Sequence, residues 1–131
     1  MAPKKILLAE DDADDRHFFY EFLRHRTDVV LLPAVENGEA VFAYLEGASE
    51  ATLPDAIILD QNMPRRNGLQ TLALLKESVA YAQLPVMVYS TYVDDNLVQR
   101  STALGATLVW MKPSDAEGYH NMIDAFFKVI K

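Results

Sequence analysis

Short apolar runs alternate along the chain with longer stretches whose apolar residues recur at helical spacing. The apolar runs are Lys4–Ala9, residues 29–35, Ala56–Asp60, residues 85–89 and residues 107–111. The helical pattern covers residues 13–25, 39–45, 69–79, 94–105 and 114–130. Regular alternation of strands and helices predicts an α/β domain with a parallel sheet and helices on both faces.

The third apolar run ends in a carboxylate. Four apolar residues lead into Asp60, and the turn former Asn62 and the helix and sheet breaker Pro64 follow at once. The strand must therefore stop here, with Asp60 at its carboxyl end. In open α/β sheets, ligands bind at that edge.

The segment after the first run is acidic, with five carboxylates among residues 10–15. Asp12 is suited to cap a helix, and Asp14 and Asp15 suit the first turn of that helix. Glu10 and Asp11 are left at the end of the strand. An acidic run of this kind often marks only the solvent-exposed start of a helix. Here, however, other predicted strands also end in polar residues.

Four predicted strands end in polar residues that one sheet edge would bring together: Glu10-Asp11, Asp60, Ser90-Thr91 and Lys112. Clustered carboxylates repel one another unless a cation neutralises them. Mg²⁺ prefers a few carboxylate oxygens together with water and phosphate oxygens. An aspartate at such a site can itself accept a phosphoryl group.

At this point the sequence resembles the response-regulator receiver domains, of which the chemotaxis regulators are members. The resemblance covers nearly the whole chain and is closest to the small stand-alone receivers that serve bacteriophytochrome-type histidine kinases. It rests on residues 8–12, on residues 59–64 with Gly68, on residues 85–91, and on residues 105–106 through Lys112-Pro113. The resemblance implies a flavodoxin-like (βα)5 three-layer sandwich, whose five parallel strands have the order 2-1-3-4-5.

The resemblance also implies a Mg²⁺ site. Asp60 and Asp11 would bind the ion directly, Glu10 would act through water, and the backbone carbonyl of Asn62 would complete the protein ligands. We take Glu10-Asp11, rather than Asp11-Asp12, as the acidic pair. The five-residue step from Asp11 to Arg16 matches the common spacing in the family.

The same resemblance assigns the phosphoryl chemistry. Asp60 would be the phosphoacceptor, and the Ser90 hydroxyl would bond a phosphoryl oxygen. Lys112 would pair with Asp60 before transfer and with the phosphoryl group afterwards. The Lys112–Pro113 bond is expected to be cis. The chain would catalyse its own phosphorylation and dephosphorylation without being a conventional enzyme.

Two positions depart from the family pattern. The aromatic residue often found three positions before the lysine is Val109 here, and Trp110 follows it, so Trp110 should point to the opposite face of the sheet. Thr91 and Tyr92 replace the small residues common after the hydroxyl and could narrow access to the site.

Composition limits the partners. The formal net charge of −7 disfavours nucleic-acid binding. No run is long enough to cross a membrane, and the chain has no cysteine and no signal-peptide pattern, which together favour a cytoplasmic protein. The expected partners are a sensor histidine kinase or a phosphotransfer protein. A homodimer through the surface of the fourth helix, fifth strand and fifth helix is a further candidate assembly.

We interpret residues 1–131 as a single receiver domain without an effector domain. One alternative is a degenerate receiver that binds a partner without phosphorylation. A second is a haloacid-dehalogenase-type phosphatase, which the Asn62 in place of a second aspartate disfavours. A flavodoxin-like flavin carrier is weaker still, because no phosphate-binding loop rich in Ser, Thr and Gly follows the first strand.

Overall fold

Five strands alternate with five helices in the computed structural model, which describes residues 2–130. The strands are β1 (Lys4–Ala9), β2 (Val29–Leu31), β3 (Ala56–Asp60), β4 (Val86–Ser90) and β5 (Leu108–Met111). The helices are α1 (Ala13–Leu23), α2 (Gly38–Gly47), α3 (Gly68–Glu77), α4 (Asp95–Ala103) and α5 (Ala116–Val129). The predicted element order is confirmed.

The sheet is parallel throughout, and its strand order is β2-β1-β3-β4-β5. The direction of winding changes beside β1, so the ends of β1 and β3 border the crevice where ligands bind in such sheets. The register pairs Ala9 with Leu59 and Asp60 with Tyr89. The flavodoxin-like fold predicted from the sequence is confirmed.

Alternate strand residues supply two hydrophobic cores, one on each face of the sheet. On one face, Ile6, Leu8, Ile58 and Met87 pack with residues of α1 and α5. On the other face, Leu7, Ile57, Leu59, Val86 and Val88 pack with residues of α2, α3 and α4. Since β1, β3 and β4 are covered on both faces, they read in the sequence as continuous apolar runs.

An acid or amide side chain caps the amino end of each helix in the described part of the chain. Asp12, Asn37, Asn67, Asp94 and Asp115 each accept a hydrogen bond from the backbone N–H three residues later. The predicted cap at Asp12 is confirmed. Asp115 caps α5.

Most helix and strand boundaries differ from the predicted ones by one or two residues, and the largest difference is at the end of β2. β2 ends at Leu31 rather than at residue 35, because Pro33 cannot donate to a strand ladder. Val35 still makes an isolated bridge to Ala9, and β2 lies at the edge of the sheet, where a proline is tolerated. Helix α1 ends at Leu23, two residues earlier than expected.

Val109 and Trp110 lie on opposite faces of the sheet, as strand alternation predicts. Val109 packs against the core beneath α2, α3 and α4, and Trp110 packs against the core beneath α1 and α5. Trp110 is half-buried, whereas Thr91 and Tyr92 are exposed. Within residues 2–130, none of the helices combines the length and the apolar character needed to cross a membrane.

Candidate functional site

Three carboxylates meet where β1 and β3 end side by side. Glu10 and Asp11 follow β1, and Asp60 is the last residue of β3. One oxygen from each of the three side chains lies within 4.8 Å of the others. Glu10 and Asp60 are buried, and Asp11 is exposed. The cluster is therefore closed to water at Glu10 and Asp60 and open to water at Asp11.

Lys112 supplies the positive charge of this cluster. Its Nζ atom lies 2.8 Å from Glu10 Oε1, 3.0 Å from Asp15 Oδ2 and 3.4 Å from Asp60 Oδ2. The backbone N–H of Lys112 donates to the Ser90 carbonyl at 2.8 Å and so extends the pairing of β4 and β5. This pairing fixes the base of the lysine beside the carboxylates, where its side chain is only 10% exposed.

Glu10 is held by hydrogen bonds on both of its side-chain oxygens. The Tyr89 hydroxyl donates to Oε1 at 2.6 Å, and the Asp12 backbone N–H donates to Oε2 at 3.1 Å. The Glu10 carbonyl accepts a hydrogen bond of 2.8 Å from Arg16 Nη1. The Asp12 side chain thus caps α1, while the Asp12 backbone N–H bonds Glu10.

Burial and mutual repulsion perturb the charges of the cluster. Burial first, and then hydrogen bonding and repulsion from Glu10, raise the pKa of Asp60 to about 8, although Lys112 opposes the change. Burial alone would lower the pKa of Lys112, but its bonds to Glu10 and Asp15 outweigh burial and raise that pKa. Burial and the neighbouring Glu10 raise the pKa of Tyr89 well above its usual value, so its hydroxyl stays a donor.

The donor set fits a hard divalent cation. All three clustered side chains offer carboxylate oxygens, which hard cations prefer. Repulsion from Glu10 adds to the effect of burial in raising the pKa of Asp60, and a bound cation would relieve this repulsion. Glu10, Asp11 and Asp60 are therefore the residues of this edge that could hold such an ion.

Comparison with known proteins assigns the chain to a family. The family described as the response regulator receiver domain matches residues 6–124. The chain belongs to this family. Receiver domains of two-component systems bind divalent cations, and the acidic cluster of Glu10, Asp11 and Asp60 fits this property.

The chain resembles two phytochrome-associated or cyanobacterial receivers along most of its length. Response regulator Rcp1 of Synechocystis sp. is 29% identical over 124 residues, which cover 92% of this chain and 84% of Rcp1. The structure of the Mn²⁺-bound form of Rcp1 superposes with a TM-score of 0.74 at 30% identity, covering 97% of this chain and 89% of Rcp1. The phosphorylated cyanobacterial phytochrome response regulator RcpA gives a TM-score of 0.82 at 27% identity, covering 98% of this chain and 94% of RcpA.

A third relative is longer than this chain. Transcriptional regulatory protein PdtaR of Mycobacterium tuberculosis is 31% identical over 111 residues, which cover 85% of this chain and 50% of PdtaR. The chain thus spans about half the length of PdtaR. The similarity to PdtaR extends over the receiver domain.

The remaining predicted site residues lie around the receiver cluster. Ser90 is the buried last residue of β4, and its Oγ atom accepts a hydrogen bond of 3.4 Å from the Tyr92 backbone N–H. Asn62 is exposed, and its backbone N–H donates to Asp60 Oδ1 at 3.2 Å. The backbone amide of Asn62 therefore lies beside the Asp60 carboxylate, and Ser90 ends the strand that pairs with β3.

The prediction of a cis peptide bond between Lys112 and Pro113 is wrong. Residues 2–130 contain no cis peptide bond, so the Lys112–Pro113 bond is trans. The trans form is the ordinary preference of bonds that precede proline. In this trans form Lys112 still contacts Glu10 and Asp60.

Sequence reasoning missed two residues of the site. Asp15 was interpreted only as a residue of the first helical turn, yet it accepts a hydrogen bond of 3.0 Å from Lys112 Nζ. Tyr89 was interpreted only as a strand residue, yet its hydroxyl bonds Glu10. The one signal for Tyr89 is its hydroxyl, which stands at the end of an otherwise apolar strand directly before Ser90.

Proposed function

We propose that this receiver domain accepts a phosphoryl group on Asp60 from a histidine kinase or a phosphotransfer protein, with Mg²⁺ as the cation. The observation that carries the proposal is the position of Asp60. It lies at the end of β3, beside Glu10 and Asp11, with Lys112 Nζ 3.4 Å from its Oδ2 atom. This arrangement supplies a carboxylate nucleophile, acidic ligands and an ammonium group at one point.

In the proposed reaction, an Asp60 oxygen attacks the phosphorus of a phosphohistidine, and the phosphorus–nitrogen bond of the donor breaks. Phosphoryl transfer depends chiefly on positioning and on neutralising charge. Asp60 must be ionised to attack, and Lys112 favours that form. Asp60 is held in place because it ends β3, which pairs on both sides with other strands.

Glu10, Asp11 and Asp60, together with the Asn62 carbonyl, would hold the Mg²⁺ ion. Bound there, the ion would neutralise the carboxylates and the oxygens of the transferred group. Ser90 lies at the end of the neighbouring strand, and its hydroxyl would bond a phosphoryl oxygen. Lys112 would move from its carboxylate partners toward the phosphoryl group once that group is attached.

The modified domain would signal through altered protein contacts. Phosphorylation would shift an existing equilibrium of residues 91–94 and α4, which follow Ser90 directly. Aspartyl phosphate would later hydrolyse at the same site, so the chain would catalyse both its phosphorylation and its dephosphorylation. A cytoplasmic location suits a kinase partner of this kind.

The resemblance to RcpA and Rcp1 supports a phytochrome-type kinase as the donor. A homodimer through α4, β5 and α5 is a further part of this proposal. Val98 of α4 and Met111 of β5 expose apolar side chains, as does Val129 of α5. Sedimentation of the phosphorylated and unphosphorylated protein would test the dimer.

The direct test is intact mass after incubation with acetyl phosphate. We expect a gain of one phosphoryl group in the presence of Mg²⁺, and no gain with a chelator or in Asp60→Asn. A beryllofluoride complex provides the second probe, because it does not depend on a small phosphodonor. Failure of both probes would favour the phosphorylation-independent receiver instead.

A further inference from the structure

Tyr89 joins the end of β4 to the acidic cluster. The Tyr89 and Glu10 side chains are both fully buried, and the Tyr89 hydroxyl donates to Glu10 Oε1 at 2.6 Å. Lys112 Nζ lies 5.2 Å from the centre of the Tyr89 ring. Tyr89 thus contacts both the acid and the ammonium of the site, and its neighbour in the sequence is Ser90.

The donors around Glu10 are not equivalent. Lys112 and Tyr89 share Oε1, whereas the Asp12 backbone N–H bonds Oε2. Lys112 has two other carboxylate partners, Asp15 and Asp60. The Tyr89 hydroxyl has a single acceptor here, and its ring is packed in the core with Met87 and Tyr119. Tyr89 is therefore the fixed donor to Oε1, and Lys112 is the one that can leave.

We propose that Tyr89 is a positioning residue for the cation and phosphoryl site, because its hydroxyl holds Glu10 in place while Lys112 exchanges partners. This inference rests on the proposed function. A buried carboxylate that lost its lysine would otherwise keep no donor on Oε1, and an unpaired buried charge is costly. With Tyr89 present, Glu10 keeps a donor on Oε1 and keeps its orientation when Lys112 turns to the phosphoryl group.

Residues that orient metal-binding side chains change metal affinity by about 10- to 100-fold when they are replaced. The Tyr89→Phe variant removes the hydroxyl and keeps the ring that fills the core. We expect it to bind Mn²⁺ about tenfold more weakly than the wild type, as measured from the electron paramagnetic resonance signal of free Mn²⁺. Labelling by acetyl phosphate should likewise need about tenfold more Mg²⁺ to reach half of its maximal rate.

Tyr119→Phe is the matched control. Tyr119 is also a buried tyrosine of the same core, and among the described residues no hydrogen bond joins its hydroxyl to Glu10, Asp11 or Asp60. We expect its Mn²⁺ affinity to equal that of the wild type. Near-ultraviolet circular dichroism and the melting temperature would show that both variants are folded.

A double variant tests whether Tyr89 acts through Glu10. In a Glu10→Gln background, Tyr89→Phe should cause little further loss of Mn²⁺ affinity, because the carboxylate that it holds is already gone. Independent, additive losses would overturn the proposal. So would a Tyr89→Phe protein that binds Mn²⁺ as tightly as the wild type.

The outcomes separate this inference from the proposed function. If the wild type binds Mn²⁺ and is labelled on Asp60 while Tyr89→Phe behaves identically, only the role of Tyr89 falls. If the wild type neither binds Mn²⁺ nor accepts a phosphoryl group from any probe, the proposed function falls, and the role of Tyr89 falls with it.

Discussion

The Lys112 ammonium lies 2.8 Å from Glu10 Oε1 and 3.4 Å from Asp60 Oδ2. It is therefore bound more closely to the neighbouring acid than to the proposed phosphoacceptor. Asp15 holds the same ammonium at 3.0 Å. Since one lysine serves three carboxylates, its removal should affect the stability of the domain as well as its chemistry.

Lys112→Met should destabilise the metal-free protein by about 2–4 kcal/mol at pH 8, because it leaves Glu10 and Asp60 buried without their cation. Lys112 keeps its charge between pH 5 and pH 8, since its pKa is raised in the folded state. The pH dependence therefore comes from Asp60, whose pKa is raised to about 8. At pH 5 Asp60 is protonated, so the loss should be smaller. Urea unfolding at both pH values measures the difference.

Lys128→Met is the control for this experiment. Lys128 is exposed in the last turn of α5 and should cost no more than about 1 kcal/mol through the helix dipole. Equal losses of stability in Lys112→Met and Lys128→Met would contradict the assignment of Lys112 as the cation of the cluster. Labelling by acetyl phosphate should also become slower in Lys112→Met alone.

Asp60→Asn should stabilise the metal-free protein. The pKa of Asp60 is raised to about 8 in the folded state, chiefly by burial and by Glu10. A carboxyl with a raised pKa supports folding fully below its unfolded pKa of about 4, and this support is lost as the pH rises through about 8. Asparagine does not ionise, so the variant does not lose stability as the pH rises through about 8. The amide of the asparagine can also donate a hydrogen bond to Glu10. We expect a gain on the order of 1–3 kcal/mol at pH 7 in the presence of a chelator, growing from pH 5 to pH 8.

Thermal unfolding across this pH range is the measurement, and Asp95→Asn is the control. Asp95 is exposed in the first turn of α4, where its charge favours the helix. Its replacement should lower stability slightly, which is the opposite sign. An Asp60→Asn protein that is less stable than the wild type at pH 8 would show that the cluster carries no net repulsion.

Much of the fold could be predicted because local signals agree with one another. Each acidic or amide cap precedes an apolar pattern of helical spacing, and the apolar run before Asp60 has the length of a buried strand. Pro33 is likewise typical of an edge strand or a strand end, and β2 is an edge strand. These features depend on neighbouring residues, so the sequence carries them directly.

The fine contacts of the site could not be predicted in the same way. Tyr89 and Glu10 lie 79 positions apart, and Lys112 and Asp15 lie 97 apart. Each contact requires the strand register and the side-chain directions of two separate elements. Local patterns place Glu10, Asp60 and Lys112 at the same edge, but they do not specify which oxygen faces which donor.

Asp11→Asn and Asp12→Asn should separate the roles of two adjacent acids. Asp11 lies in the carboxylate cluster, whereas the Asp12 side chain caps α1 by accepting from the Asp15 backbone N–H at 3.0 Å. Asparagine caps helices as well as aspartate does. Asp12→Asn should therefore keep both its stability and its response to Mg²⁺. Asp11→Asn should lose most of the rise in melting temperature that Mg²⁺ causes.

Differential scanning fluorimetry with and without Mg²⁺ measures both proteins. A third variant, Asp12→Ala, should lose about 1 kcal/mol of stability through the missing cap while keeping its Mg²⁺ response. If Asp12→Asn rather than Asp11→Asn lost the response, then Asp11-Asp12 would be the acidic pair of this receiver and Glu10 would have another role.

Gly38→Ala should strongly destabilise the contact between α2 and the loop that follows Asp60. A Cβ atom on Gly38 would lie 2.5 Å from Arg66 Cβ and 2.8 Å from the Arg66 carbonyl oxygen, and it would also overlap Thr71 Oγ1. The Gly38 backbone N–H donates to that same carbonyl at 3.2 Å. Because backbone atoms must move, we expect a loss of about 1–3 kcal/mol in urea unfolding.

Gly47→Ala offers a matched control in the same helix. Gly47 is the last residue of α2, and a Cβ atom there would have no neighbour within 4 Å. Alanine should stabilise this position by about 0.4–1 kcal/mol, since it restricts the unfolded chain. The two substitutions are chemically identical and should have opposite signs. A loss of similar size at both positions would mean that the close approach of α2 to Arg66 and Thr71 does not decide the effect at Gly38.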